Sequence, residues 1–217
     1  MKKYSSVYEH LNGGFTKVMK QRFVDEFSGA TLDVSKWRSH GSGGTVLIDQ
    51  DVIDGGLKII SATNAEKRID FASANNSTEM IRPFNRQGCV LIAVMKLQQA
   101  QYAIMHTSLT DSWYTEGASY VKSLVQGQTN GNSGDNKFRL ISGEFTNIDT
   151  DQTGLYDFHN HKLECKTSTT ELSIDGILKA TGAGVPDNAV MPTFAVAPSE
   201  GTVTAHGNIT YMEVYNT

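Results

Sequence analysis

From Phe23 to the end of the chain, apolar residues return at every second position in short runs, and nearly every run is closed by Gly, Asn or Asp. A period of two is the signature of a strand with one face buried, because successive side chains point to opposite sides of the pleat. The runs are 23–27, 46–48, 57–61, 77–81, 89–97, 102–108, 120–125, 137–142, 161–166, 170–174, 177–179, 193–197 and 209–215. Asp54-Gly55-Gly56 and Asp175-Gly176 stand between neighbouring runs as turns, since glycine accepts the positive φ that tight turns demand. No stretch after residue 22 keeps a helical spacing, and no internal repeat is visible. Many short strands punctuated by turn residues specify an all-β sandwich or barrel. The polar stretch 126–136 reads as a loop between strands rather than a linker between domains.

The chain has 217 residues, enough for one sizeable β domain that buries its own core. With 39% hydrophobic residues it is not a disordered chain. The most apolar stretch, 89–97, contains Lys96 and falls well short of the roughly 20 residues of a membrane span. Two segments follow: a basic arm, 1–22, and the sandwich, 23–217. The arm holds Lys2, Lys3, Lys17, Lys20 and Arg22 against Glu9 alone, a net +4 in a chain whose formal charge is −4. The acidic remainder argues against nucleic acid as a partner, because phosphate contacts need a cationic face. Within the arm, Tyr4, Tyr8, Leu11, Phe15 and Val18 recur every three or four residues, which suggests a helical stripe interrupted by Gly13-Gly14. Glu9, His10 and Asn12 stand where a secretory signal needs an apolar core, so the expectation is a protein made in the cytosol. Cys89 and Cys165 both fall in strand-like runs. They read either as two buried thiols or as one disulfide.

Three stretches, in order, resemble the concanavalin A-like lectin and glucanase superfamily. These are FVDEFSGATLDVSKW (23–37), YDFHNHKLECKTSTTELSIDGILKAT (156–181) with its His-x-Leu and Leu-x-Ile-Asp-Gly pattern, and the closing ITYMEVY (209–215). The resemblance implies a two-sheet antiparallel jelly roll over 23–217. It also implies a structural Ca2+ between the first and last strands, with Asp25 and Glu26 as ligands, although Thr210 stands where the family commonly has an acid.

The resemblance does not carry the glycosidase chemistry. Family sixteen glycoside hydrolases place Glu-x-Asp-x-x-Glu on one strand, where two carboxyl groups about 5 Å apart act as acid and nucleophile. No Glu-x-Asp occurs in this chain, so the expectation is a non-enzyme. Jelly-roll polysaccharide lyases offer a looser likeness. STEMIR (77–82) resembles their Arg-Thr-Glu-Leu-Arg strand and Ile104-Met105-His106 their Gln-Ile-His, with Tyr120 and Lys122 to complete a site. Here Asn76 or Ser77 replaces the first Arg and Ile104 the Gln. The acidic turns at 49–55 and 149–154 resemble fragments of calcium loops but lack a closing Glu. His159 and His161, with Asp157, are spaced for a zinc site on one strand face, or are simply strand histidines. No cofactor beyond a structural Ca2+ is expected.

For sugar binding, Asp111, Trp113, Tyr114 and Tyr120 form the candidate platform, since aromatic plates with a polar rim suit a pyranose face. A lectin-like fold with no export signal fits a virion protein, made inside a cell and meeting the outside later. The reading is a non-catalytic, homo-oligomeric decoration or fibre component at a virion surface. Its arm would bind a capsid or other virion protein and its sandwich a cell-surface glycan. The alternative is a free carbohydrate-binding domain outside cells, or less favourably a lyase.

Overall fold

The computed structural model describes residues 6–11, 14–19, 21–49, 56–71, 84–98, 103–111, 120–126, 137–142, 144–147, 157–199 and 203–217. These residues form strands and turns with no helix. In chain order the strands are β1 (Ser6–Leu11), β2 (Gly14–Met19), β3 (Arg22–Asp25), β4 (Arg38–His40), β5 (Thr45–Ile48), β6 (Leu57–Ile60), β7 (Lys67–Asp70), β8 (Cys89–Leu97), β9 (Ala103–Thr110), β10 (Tyr120–Gln126), β11 (Lys137–Ser142), β12 (Glu144–Asn147), β13 (His159–Cys165), β14 (Thr169–Ile174), β15 (Ile177–Ala183), β16 (Met191–Pro198) and β17 (His206–Asn216).

Two antiparallel sheets face each other, as expected for a jelly roll. One has seven strands in the order β12-β11-β10-β9-β16-β7-β4; the other has eight, seven in the order β15-β14-β13-β8-β17-β6-β5 and β3 paired to β17 beside that path. The long closing strand β17 serves two partners on one side: β6 over His206–Ile209 and β3 over Met212–Tyr215. Its register against β8 shifts between Ile209 and Tyr211, a bulge that lets one strand follow both neighbours.

Alternation fills the space between the sheets. Leu91, Ala93, Met95 and Leu97 of β8 meet Met105 and Leu109 of β9, Phe194 and Val196 of β16 and Phe138 and Leu140 of β11 in one core. Each large apolar side chain buried here contributes about 1.5–3 kcal/mol. The sheets approach so closely at Gly207 that an added Cβ would lie 2.6 Å from the Met105 sulfur. At one end of the core Trp37, 1% exposed, packs on Phe27, Phe71 and Phe194.

Two local motifs read from the sequence are explained by their bonds. Asp25 Oδ1 accepts the backbone N–H of Phe27 at 2.8 Å, and Oδ2 accepts the Trp37 indole N–H at 2.9 Å. One carboxylate thus holds Phe27 in an unusual positive φ of 49° and orients the tryptophan. Asp175 and Gly176, with φ of 51° and 78°, join β14 to β15 through the pair Ile174↔Ile177, the two-residue turn whose twist suits a hairpin.

The arm differs from expectation. The spacing of Tyr8, Leu11, Phe15 and Val18 suggests a helix, but β1 and β2 are antiparallel strands, paired from Ser6↔Met19 to Leu11↔Gly14. Only Asn12 and Gly13 link them, and Asn-Gly is the dipeptide best suited to a two-residue hairpin. That local signal outweighs a spacing of three and four over so short a segment. The hairpin is a sheet of its own, joined to neither sandwich sheet by strand pairing.

Candidate functional site

The seven-stranded sheet has a second face, turned away from the core, and alternation sorts the side chains onto it. On β9, Met105 and Leu109 enter the core, so His106, Ser108 and Thr110 point outward. The same rule places Lys122 of β10, Thr193 of β16, Arg68 and Asp70 of β7 and Arg38 and His40 of β4 on that face. Strand order then brings them together: Lys122 is opposite Ser108, Thr193 is opposite both Ser108 and Asp70, and Arg38 is opposite Asp70. Arg68, Asp70, His106, Ser108, Thr110, Lys122 and Thr193 line one pocket.

Although they face away from the core, these polar groups are nearly dry. Asp70 is 1% exposed and His106 5%. Burial of charge requires partners, and the carboxylates have them. Asp70 Oδ1 lies 3.1 Å from Arg68 Nε and accepts the Thr193 hydroxyl at 3.0 Å, while Oδ2 lies 3.2 Å from His40 Nε2. Glu66, just before β7, places Oε2 3.4 Å from His106 Nε2 and Oε1 3.9 Å from Arg68 Nη1.

The electrostatics follow from burial and this arrangement. Burial raises the Asp70 carboxyl above its ordinary value, opposed by Arg68, Thr193 and Arg38. Burial would also raise Glu66, but the bond to His106 and the charges of Arg68 and Lys122 bring it below the usual range. Burial lowers Lys122, with Glu66 opposing and Arg68 assisting. His40 falls to about 4 through burial and the cations Arg38, Arg68 and Lys67. His106 is lowered chiefly by burial, so its ring is neutral at pH 7. With Nε2–H directed at ionised Glu66, Nδ1 carries the lone pair, and Nδ1 has no hydrogen-bond partner among the described residues. The pocket is lined by the Lys122 amine, the Arg68 guanidinium, three hydroxyls, of which that of Thr193 is already donated to Asp70, and the His106 imidazole, around a space of about 10 Å³, roughly that of one water. That set suits a polyhydroxylated or acidic ligand.

The residues singled out in the sequence are distributed differently. Trp113 and Tyr114 lie outside the described residues, as do Lys2, Lys3 and Lys20. Asp111 follows β9 and accepts the Asn188 amide at 3.1 Å. Tyr120 opens β10 opposite Thr110, and Lys17 lies in β2. Arg22 belongs to the sandwich rather than the arm: it opens β3 and its guanidinium lies 2.5 Å from Glu213. STEMIR lies outside the described residues, but His106 and Lys122 meet in the pocket. Arg38, His40, Glu66, Arg68, Asp70 and Thr193 had no signal of their own in the sequence. The first five follow only from knowing that 38–40 and 67–70 are strands of the same sheet; Thr193, in a run that did read as a strand, joins them through its pairing with β7 and β9.

The metal-ligand readings dissolve into other bonds. Both Asp25 oxygens are engaged, and among the described residues no group of three His, Cys, Asp or Glu side chains converges on a metal position. Asp49 accepts the Asn208 amide at 3.3 Å and lies 3.6 Å from Lys58; its neighbours 51 and 54, like 149 and 151, lie outside the described residues. His159 Nδ1 lies 2.6 Å from Asp175 Oδ2, whereas His161 Nδ1 lies 2.8 Å from Ser123 Oγ inside the core. Both rings stand edge-on to Phe138.

No known family profile matches the chain, and no curated protein matches it in sequence. Solved structures do. A glycoside hydrolase family 16 enzyme from a mixed-linkage glucan locus of Bacteroides ovatus superposes with a TM-score of 0.64 at 11% identity, over 88% of this chain and 99% of that one. LamAcat from Zobellia galactanivorans superposes with 0.58 at 15%, over 89% and 96%. A pseudo beta-1,3-glucanase and immunostimulatory antigen of Mycobacterium tuberculosis superposes with 0.56 at 13%, over 90% and 98%. At these identities the likeness is one of fold. The chain shares the two-sheet jelly-roll fold of these glucanase and pseudo-glucanase structures.

Proposed function

We propose that the sandwich is a non-catalytic carbohydrate-binding module that meets its ligand at the pocket between β7, β9, β10 and β16. One observation carries this reading: a dense set of hydrogen-bonding groups is kept desolvated on the outward face of a sheet, where stability alone does not favour it. The glucan-active and pseudo-glucanase proteins of the same fold support it as analogy. The missing Glu-x-Asp motif separates it from their hydrolytic chemistry. The test is a glycan array with the full chain, then the same array with Lys122→Ala and Thr193→Val. Loss of a specific signal in both variants, with melting temperature held, supports the site. An unchanged signal moves the site to the Trp113 loop, and no signal at all removes the reading.

The arm has its own place in this proposal. A hairpin that pairs with neither sandwich sheet, in a basic segment on an acidic body, suits an attachment element on a virion, with a capsid protein as partner and the sandwich presented as a homo-oligomer. Because the backbone N–H of Asn216 bonds the Gln21 carbonyl at 3.1 Å and Arg22 opens β3, the informative truncation keeps 21–217. It should remain folded and lose particle attachment. Retained attachment, or an arm-independent oligomer, would count against this part.

The convergence of His106, Lys122 and Arg68 favours one other reading, a lyase acting on uronate polymers. His106 Nδ1 would take the proton beside the uronate carboxylate while the two cations hold that carboxylate; the freed electron pair would become the C4–C5 double bond as the C4–O bond breaks, and the leaving oxygen would take a proton from the His106 imidazolium or from water. Incubation with polyuronates, followed by ultraviolet absorbance of the unsaturated product, tests it. Activity lost in His106→Asn would replace the binding reading with the enzymatic one.

A further inference from the structure

Cys89 and Cys165 are far apart in sequence, yet they are direct register partners on the neighbouring strands β8 and β13. Partners across an antiparallel ladder stand about 4.5–5.5 Å apart between Cα atoms, within the roughly 4.4–6.8 Å span of a disulfide. Direct partners also share one face of the sheet, and both side chains are fully buried in the same core. Both thiols are free. The Thr170 hydroxyl lies 3.9 Å from the Cys165 sulfur.

We propose that this pair is a covalent modification site, closing to an intrachain cross-strand disulfide when the chain folds in an oxidising medium and sealed against oxidants once the reduced chain has folded. The oxidant is a small-molecule disulfide such as oxidised glutathione. One cysteine thiolate attacks it, forming a mixed disulfide and releasing one reduced glutathione. The second cysteine thiolate then attacks the protein sulfur of that adduct and expels the other. Two protein thiols are oxidised, one small disulfide is reduced to two thiols, and the two thiol protons move to the leaving thiolates.

Sealing follows from burial. Exchange needs a thiolate and an open approach. Burial raises both thiols, Cys165 to about 11, and the neighbouring sulfur adds to the rise at Cys89. Fully enclosed, neither meets a solute in the folded protein. The ladder supplies the geometry and the core supplies the barrier, so the redox state of the pair records the medium in which the chain folded. The crosslink would join β8 to β13 near the chain's end, where Asn216 pairs with Cys89 and the Thr217 N–H bonds the Gly88 carbonyl.

The test uses the full chain, unfolded in denaturant with reductant and then refolded with oxidised glutathione or with reduced glutathione alone. Mass spectrometry after alkylation under denaturing conditions reads the outcome. The expected oxidised product is lighter than the reduced chain by two hydrogen atoms, takes up no alkylating agent and melts at a higher temperature. Reduced protein that is already folded should keep two alkylatable thiols when given the same oxidant. Two free thiols, glutathione adducts or an interchain dimer after oxidative refolding would overturn the geometric part. Rapid oxidation of the folded reduced protein would overturn the sealing. Cys89→Ala controls for folding: refolded with oxidised glutathione, it should lose the temperature rise but keep the melting temperature of the reduced chain to within a few degrees.

Discussion

The outward faces of the two sheets are built by the same alternation and carry charges in very different settings. On the eight-stranded sheet, Lys162 pairs with Glu164, Lys166 with Glu171 and Arg22 with Glu213, each pair reaching into solvent. Such pairs contribute little, because water screens them and ordering long side chains costs entropy. On the seven-stranded sheet, Arg68, Asp70, His106 and Lys122 are almost without solvent. Desolvation there is a cost that paired charges only partly offset. One face is ordinary surface and the other is a preorganised cluster, which is why the candidate site lies on the second.

The largest effect that should separate them is on stability. Asp70→Ala leaves Arg68 buried without its carboxylate and should cost about 3–5 kcal/mol in urea unfolding, while Lys162→Ala should leave the midpoint unchanged. Equal effects would erase the contrast.

Acid should act through neutral histidines next. His161 is held at about 3 by burial and by His159, and His40 at about 4 by burial and neighbouring cations. In the unfolded chain both titrate near 6.5. Between those values the unfolded state binds more protons, so stability is complete above about 6.5 and declines as pH falls, by about 1.4 kcal/mol per pH unit for each histidine. Denaturation midpoints from pH 7 to 4 measure this slope. His161→Gln should remove one histidine's share, and an unaltered slope would refute the assignment.

Asp25→Ala should cost about 1–3 kcal/mol, through the stranded Phe27 N–H and Trp37 indole, and should shift tryptophan fluorescence. A silent substitution would mean that packing alone orients Trp37. The smallest effect is on binding: Lys122→Ala should weaken affinity for an array-identified glycan about tenfold, the low end for a hydrogen bond from a charged group. Glu171→Ala on the opposite sheet should leave affinity unchanged, and a matching loss there would make the ligand surface diffuse.

Legibility followed the amount of apolar alternation. β8 and β16 were visible because apolar side chains recur along them, and β9, β10 and β13 because Met105 and Leu109, Val121 and Val125, and Leu163 and Cys165 keep the alternation. β4 and β7 were not, since Arg-Ser-His holds no apolar residue and Lys-Arg-Ile-Asp only one; their outward positions carry the charges of the site. The feature that makes them functional candidates thus hid them as strands. The hairpin was missed for the opposite reason, its apolar residues falling by chance at helical spacing while Asn12-Gly13 carried the true signal.

By itself the sequence determined what is local: the two-residue period, the tight turn at Asp175-Gly176, the Asp25 carboxylate two residues from Phe27 and twelve from Trp37, and hence an all-β sandwich. The tertiary structure decided which distant strands lie side by side. Arg68, Asp70, His106, Lys122 and Thr193 become one pocket only through the order β10-β9-β16-β7. Backbone hydrogen bonds are alike in every strand, so local sequence cannot specify that order; it is selected by how all the inward faces fill one core at once.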